Sequence, residues 1–496
     1  MRTFYILGVD QSTQGTKGVL VDQAGRIASR ADRPHRQIIS GQGWVSHDPE
    51  EIYRNVLGVC GDVIRQSAVD PSDILCMGIT NQRETTVAFS RTTGKPLAEA
   101  IVWQCARAAG ITEKLRKRVG FEDTVRTKTG LMLSPYYPAS KMAWLLQNRP
   151  EVEEAAGRGE LALGTIDSYL VFRLTGGHRF CTDASNASRY QLMNLNTIGW
   201  DPALCAAFGI PETALPEIVG SDAAFGMTDL DGLLDSPIPI AGVLGDSHGA
   251  LFGHGCLAPG MTKATYGTGS SVMMNIGPDI RLSTHGLSAS VAWKMNGKVS
   301  YCLEGNINYS AAVISWLQKD VKLIESPAET DALARAANPE DTACLVPAVS
   351  GLGAPWWRND ARAVLCGMSR TTGKNEIVRA ALDSIACQIF DVVEAMRLDT
   401  GLDIPCMSVD GGPTGNRYLM QTQSDLLRAE IRIPDAEELS VLGAVYTAGI
   451  ASGFYDPARI HQAIHYRTYR PEMDETVRSE KLALWRQAVR MVLGTV

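Results

Sequence analysis

Along the N-terminal stretch, short apolar runs are broken by tight polar turns. Tyr5–Asp10, Lys17–Asp22 and Arg26–Arg30 each have the β-branched and aliphatic density of a strand, and Asp22-Gln23-Ala24-Gly25 turns the chain between the last two. The pattern predicts a three-stranded meander. Over Asp48–Gln66 the apolar period lengthens to that of a helix, opened by Asp48-Pro49-Glu50-Glu51: a cap, a first-turn proline and two acids. Ile74–Thr80 returns to a strand. A second meander is expected from about Met261. Ile238–Gly245 and Met407–Asp410 read as strands, each running through glycine into a helix. Strands alternate with helices throughout, which predicts an α/β architecture. Gly253, Gly255 and Pro259 interrupt the pattern, so one domain is expected over residues 1–255 and a second over 256–496.

Two segments share a design. Gly8-Val9-Asp10-Gln11-Ser12-Thr13-Gln14-Gly15-Thr16-Lys17-Gly18 and Ala264-Thr265-Tyr266-Gly267-Thr268-Gly269-Ser270-Ser271-Val272 each join two apolar strands by a turn of small residues. Such turns let backbone N–H groups and hydroxyls approach a phosphate. A single turn of this kind is commonly nothing more than a turn. Two of them, with Asp10 at a strand end, point to two related domains closing on one nucleotide. This layout is similar to that of the actin-like ATPases, two ribonuclease H-like domains flanking a cleft.

Bulk properties narrow the partners. At 496 residues the chain exceeds what one core holds. A net charge of −7 argues against a nucleic-acid partner. No apolar run reaches membrane-spanning length, and the N-terminus enters a strand with no small-residue cleavage site, so no signal peptide is expected. The 11 cysteines stand singly, without a C-x-x-C pair, as fits reduced thiols in a cytoplasm.

Three sites carry candidate chemistry. Asp246 follows the strand end at Gly245, where ligands sit in α/β sheets; it reads as a proton-accepting base or as a helix N-cap. No other carboxylate is as obviously placed for the first role. Arg83 and Glu84 follow the strand Ile74–Thr80 and could grip a polyol from two sides, or form a surface ion pair. Gly411, Gly412 and Gly415 precede a helix that could receive a ring or phosphate. No Walker-type loop and no G-x-G-x-x-G opening a helix is present, and His248 and His254 lack a third ligand and read as structural.

The chain resembles the FGGY carbohydrate kinases, within them most closely the glycerol kinases, from about Tyr5 to Tyr469. Tyr136-Tyr137-Pro138-Ala139-Ser140-Lys141-Met142-Ala143-Trp144 is similar to the family's first signature, and Ala363–Met368 with Glu376-Ile377 and Ala380–Asp383 to its second. Asn81–Thr86, Val102–Cys105 and Gly351–Trp356 match glycerol-kinase stretches almost letter for letter. The resemblance implies ATP-dependent phosphorylation of a polyol or sugar hydroxyl: glycerol, a longer polyol or, alternatively, a ketopentose. It implies Asp246 as catalytic base; because such a base takes the proton of the hydroxyl late in phosphoryl transfer, an ordinary carboxylate pKa is expected for it. Arg83, Glu84, Trp103, Tyr136, Ser247 and Ser271 would then form the acceptor pocket. Thr13, Gln14, Lys17, Thr268, Gly269, Ala311, Ser315, Gly412 and Asn416 would line the nucleotide, and Asp10 would hold Mg2+ through water. A homo-oligomer, dimer or tetramer, in the cytoplasm is expected. The chain departs from glycerol kinases at Ser247, where they usually carry Gln, and at Ser271, where they carry an aromatic. The first hairpin and Ala311 and Ser315 depart as well. A non-catalytic, nucleotide-gated actin-like protein is the reading of another class; the Arg83, Glu84, Trp103 and Asp246 set speaks against it.

Overall fold

The computed structural model describes residues 3–494. Its frame is two sheets of matching design. The first is six-stranded, in the order Gly226–Thr228, Ile238–Gly245, Ile74–Asn81, Tyr5–Gln11, Gly15–Asp22, Ile27–Pro34. The last three form the antiparallel meander, while Tyr5–Gln11, Ile74–Asn81 and Ile238–Gly245 run parallel. The second sheet is seven-stranded: Ser288–Met295, Lys298–Ile307, Ser270–Gly277, Thr262–Tyr266, Cys406–Asp410, Glu430–Pro434, Tyr466–Tyr469. Here too an antiparallel meander is extended by parallel strands from Thr262–Tyr266 through Cys406–Asp410 to Glu430–Pro434. The helix Pro49–Ser67 begins as its sequence predicts, with the Asp48 carboxylate accepting from Glu50 N at 2.9 Å. The first turn proves tighter than the pattern suggests: Gln11 and Gly15 both belong to strands, which leaves Ser12–Gln14.

A smaller five-stranded sheet, containing Thr86–Ser90 and Leu161–Thr165, was not legible as a unit. It packs with the helix Pro138–Asn148 around Met142, Leu145, Leu163 and Tyr190. Among the described residues, no helix is long and apolar enough to cross a membrane.

The cores are not contiguous in sequence. Ala184, Ala187, Met193 and Leu195 pack into the core of the second sheet. Conversely, the helix Leu439–Ala451 lies on the first sheet, with Val441 and Val445 against Ile6, Val19 and Leu244. Three glycines make room for it. Gly8, Gly78 and Gly242 are register partners on adjacent strands. A Cβ at Gly78 would lie 2.6 Å from the carbonyl oxygen of Ala444, and one at Gly242 2.5 Å from Ala448 N. Glycine in a strand here marks close approach of another backbone. The same helix crosses Asp246–Gly253 with equal intimacy, since a Cβ at Gly443 would stand 1.9 Å from the Gly249 carbonyl. The helix that begins with Asp246 is thereby held between a helix from the far end of the chain and strands of the second sheet, where Leu251 and Phe252 share a core with Met273, Ala292 and Trp293.

Candidate active site

Register brings distant segments together at one edge. Gln11 pairs with Asn81, and Asn81 with Gly245. Because these three strands are parallel, their carboxyl ends open side by side. Asp10 with the first turn, Arg83 with Glu84, and Asp246 therefore share one rim. On the second sheet Thr265 pairs with Asp410, so the turn Gly267–Gly269 and the turn Gly411–Gly415 share the opposite rim.

Gly245, not Asp246, is the N-cap of the helix Asp246–Gly253. Asp246 is its first residue; its carboxylate accepts from the Ser247 backbone N–H at 2.6 Å and forms an ion pair with Arg83, whose Nε lies 3.0 Å from Oδ1 without donating a hydrogen bond. Arg83 forks onto Glu304 of the second sheet, Nη1 to Oε2 at 3.0 Å and Nη2 to Oε1 at 2.7 Å. Arg189 Nε donates to Glu84 Oε1 at 2.7 Å, and its Nη1 lies 2.9 Å from Glu304 Oε2. Two guanidinium groups thus face three carboxylates. The side chains of Arg83, Arg189, Glu84 and Glu304 are at most 4% exposed, whereas Asp246 keeps 35%. Burial opposes the charge of Glu304, yet Arg189 and Arg83 overcome it and hold its carboxyl well below the usual range. For Asp246 burial prevails over the attraction of Arg83, with Glu84 adding repulsion, so its pKa is raised. This corrects the expectation of an ordinary carboxylate, and the open third of the side chain limits the effect. His248 is buried and kept neutral, first by desolvation and then by Arg83, with Nε2 beside Ser290 Oγ at 3.2 Å.

The pocket wall is aromatic. Trp103 and Tyr136 pack with ring centroids 5.4 Å apart. Trp103 Nε1 donates to Thr13 Oγ1 at 2.8 Å, which ties the first turn to the wall. Tyr136 is anchored by buried Lys141, whose ammonium donates to the carbonyls of Pro135 and Tyr136. Ser271 joins the cluster by donating to Glu304 Oε1 at 3.2 Å. Ser247 stands beside Asp246, half-buried.

On the second rim the turn is closed by backbone. Ser310 N and Ala312 N donate to Thr268 O, and Ala311 N to Gly267 O at 3.1 Å, so Thr268, Gly269 and Ala311 meet at the start of the helix Ala312–Lys319. The side chains of Gln14, Thr268 and Ser315 are exposed. Gly411 is explained by packing alone: φ is 97° and a Cβ would lie 2.0 Å from Tyr266 O. Nothing lies within 4 Å of a Cβ built at Gly412 or Gly415, so the backbone there is open to a ligand. Asn416 caps the helix Arg417–Leu427 through Leu419 N at 2.9 Å and donates to Thr330 Oγ1 at 2.9 Å. Its amide is spent within the protein.

Asp10 is 6% exposed, and its Oδ1 is buried without a hydrogen-bond partner among the described residues. Burial raises its pKa to about 7, Asp246 adds to the rise, and Lys17 opposes it. An orphaned carboxylate oxygen among acids suits a divalent cation. Asp10 and Asp246 thus stand at the same rim and are electrostatically coupled. Lys17 is partly exposed and paired with Glu438 at 2.7 Å.

Domain models of the FGGY family of carbohydrate kinases match most of the chain, the N-terminal one residues 5–253 and the C-terminal one residues 262–452. The chain belongs to the FGGY carbohydrate kinases. It is 44% identical to a protein named glycerol kinase 1 of Thermotoga maritima, over 99% of each chain, and 41% to a glycerol kinase of Desulfitobacterium hafniense over the same shares. Among solved structures it is similar to Plasmodium falciparum glycerol kinase with ADP, with 35% identity, a TM-score of 0.92, and coverage of 99% of this chain and 98% of that one. A xylulose kinase of Lactobacillus acidophilus, at 22% identity and a TM-score of 0.89, shares the fold. For an FGGY kinase, the residues that motif reading missed are Arg189, Glu304 and Glu438. A signal existed for Glu304, an acid inside the apolar strand run Tyr301-Cys302-Leu303-Glu304, where an isolated charge calls for a partner.

Proposed function

We propose that this FGGY kinase transfers the terminal phosphoryl group of ATP to a primary hydroxyl of a small polyol, with glycerol and four- or five-carbon polyols as the acceptor class. The observation that carries this is the Arg83–Asp246 pair at 3.0 Å, with Asp246 35% exposed and electrostatically coupled to Asp10, whose Oδ1 is without a hydrogen-bond partner among the described residues. Asp246 accepts the proton of the attacking hydroxyl. Its raised pKa brings it nearer the operating pH, which favours a general base. Arg83 and Glu84 donate to and accept from the neighbouring hydroxyls, while Trp103 and Tyr136 cover the carbon chain. Phosphoryl transfer depends mainly on positioning and charge neutralisation. Lys17 contributes positive charge at the phosphate rim from its anchored place on Glu438. A Mg2+ ion held by Asp10 would supply further positive charge to the phosphates. Gly412, Gly415 and the turn Gly267–Gly269 offer backbone to the nucleotide, with Thr13, Gln14, Thr268, Ala311, Ser315 and Asn416 around it. We infer a cytoplasmic homo-oligomer.

The test is an ADP-release assay with glycerol, erythritol, xylitol and xylulose. Ser247 and Ser271 leave room and add hydroxyls where glycerol kinases carry Gln and an aromatic. A site built to bond a hydroxyl rejects ligands that lack it. A four- or five-carbon polyol is therefore expected to surpass glycerol in kcat/KM, and the double substitution Ser247→Gln, Ser271→Phe to return the preference to glycerol. Glycerol preferred by about tenfold or more in the unaltered protein would sink this reading of the pocket.

Protons and a cation compete for Asp10. Because burial raises its pKa to about 7, the carboxylate is mostly neutral below that pH and charged above it. The apparent affinity for Mg2+ is expected to weaken roughly tenfold for each pH unit below 7. Activation titrations with Mg2+ at saturating ATP, at acidic and alkaline pH, measure this. The same affinity at both would remove Asp10 from the role, and Asp10→Asn should flatten the dependence.

A further inference from the structure

We propose that Glu304 is a positioning residue through which the second half of the chain completes the acceptor pocket of the first. The inference rests on the reading of Arg83 and Asp246 as acceptor-facing groups. Glu304 lies on Lys298–Ile307, within the residues matched by the C-terminal family domain, whereas Arg83, Glu84, Arg189 and Asp246 lie within the N-terminal one. Its two oxygens accept from the Arg83 fork at 2.7 and 3.0 Å, and Oε2 also forms an ion pair with Arg189, whose Nη1 lies 2.9 Å away. A planar guanidinium committed by both Nη atoms has its ring of donors fixed in one plane. What remains is Nε, which lies 3.0 Å from Asp246 Oδ1 and 3.9 Å from Glu84 Oε1 and donates a hydrogen bond to no group among the described residues.

Without Glu304, the freed fork has two carboxylates within reach. It would collapse onto Asp246, lowering the proton affinity of the base and covering the face the acceptor must approach. Glu304 therefore keeps Arg83 from closing the pocket. Since its partners sit on the other half, the pocket exists only when the two halves meet, which ties acceptor binding to exclusion of water. Ser271 donates to the same carboxylate at 3.2 Å, so position 271 acts on the acceptor through Glu304 as well as directly.

The experiment compares Glu304→Gln and Glu304→Asp with the unaltered protein. In Glu304→Gln, KM for the polyol should rise about tenfold or more while KM for ATP stays within about twofold. The acid limb of kcat/KM for the polyol should move to lower pH, because Arg83 then bears more strongly on Asp246. Glu304→Asp, which keeps the charge, should restore part of both, and it carries the test alone if the Gln variant does not fold. A purely structural role would move both KM values together and leave the acid limb in place; that result overturns the proposal. Should the unaltered protein phosphorylate no polyol, the acceptor reading fails separately. Hydrogen exchange then decides whether Glu304 holds Arg83 in place: faster exchange in Glu304→Gln around Arg83 and Arg189 than around Lys17 supports it, and equal change at all three overturns it.

Discussion

Asp246→Asn is expected to lower turnover about a hundred- to ten-thousandfold while fold and ATP binding persist, the usual loss when a positioned base is removed. The structure shows why the fold should tolerate it. Asn keeps an oxygen for the Ser247 backbone N–H, and Gly245 rather than Asp246 is the cap of the helix. Arg83 loses one carboxylate but retains the fork on Glu304. Transfer is measured by coupled ADP release, and ATP binding by calorimetry on the same sample. Turnover above about a tenth of that of the unaltered protein would refute Asp246 as base, and Asp10, raised to about 7 and electrostatically coupled to it, would become the candidate.

Arg83→Ala should do two things at once. It should raise KM for the acceptor far more than KM for ATP, because two of the three turns assigned to the nucleotide, Gly267–Gly269 and Gly411–Gly415, lie on the opposite rim. It should also destabilise the protein by about 3–5 kcal/mol, the cost typical of removing one partner from a buried ionic cluster. Arg83 is 4% exposed, and its loss leaves Glu304, Glu84 and Asp246 with Arg189 as the remaining guanidinium of the cluster. Chemical denaturation reads the second effect, and steady-state kinetics at temperatures where the variant remains folded read the first. Arg83→Lys keeps a charge without the fork, so it should recover more stability than acceptor affinity. Unchanged stability in Arg83→Ala would mean that the cluster is not closed in solution, and equal rises in both KM values would place Arg83 outside the acceptor pocket.

What the sequence carried was local. The strand–turn–strand pattern around Ser12–Gln14 and Gly267–Gly269 needed only nearest neighbours, and both turns join antiparallel strands where that pattern put them. The helix over Pro49–Ser67 was legible from its own cap and period. Asp246 at a strand end and Arg83-Glu84 after another were visible as candidates, and the family likeness sharpened them. Their meaning depended on partners that no window contains. Glu304 is 221 positions from Arg83, and Arg189 is 105 from Glu84, so the cluster that removes them from the surface ion-pair reading appears only on folding. Gly8, Gly78 and Gly242 looked like strand glycines of no account. They form a floor for a helix some two hundred residues or more further on, and that helix fixes the one beginning with Asp246. Protonation followed the same rule. Desolvation by the assembled cleft raises Asp10 and Asp246 and neighbouring guanidinium groups lower Glu304, although all three are ordinary carboxylates in the sequence. Local order follows from side chains that touch along the chain. Chemistry here follows from charges that meet across it, and parallel strand register is what makes them meet.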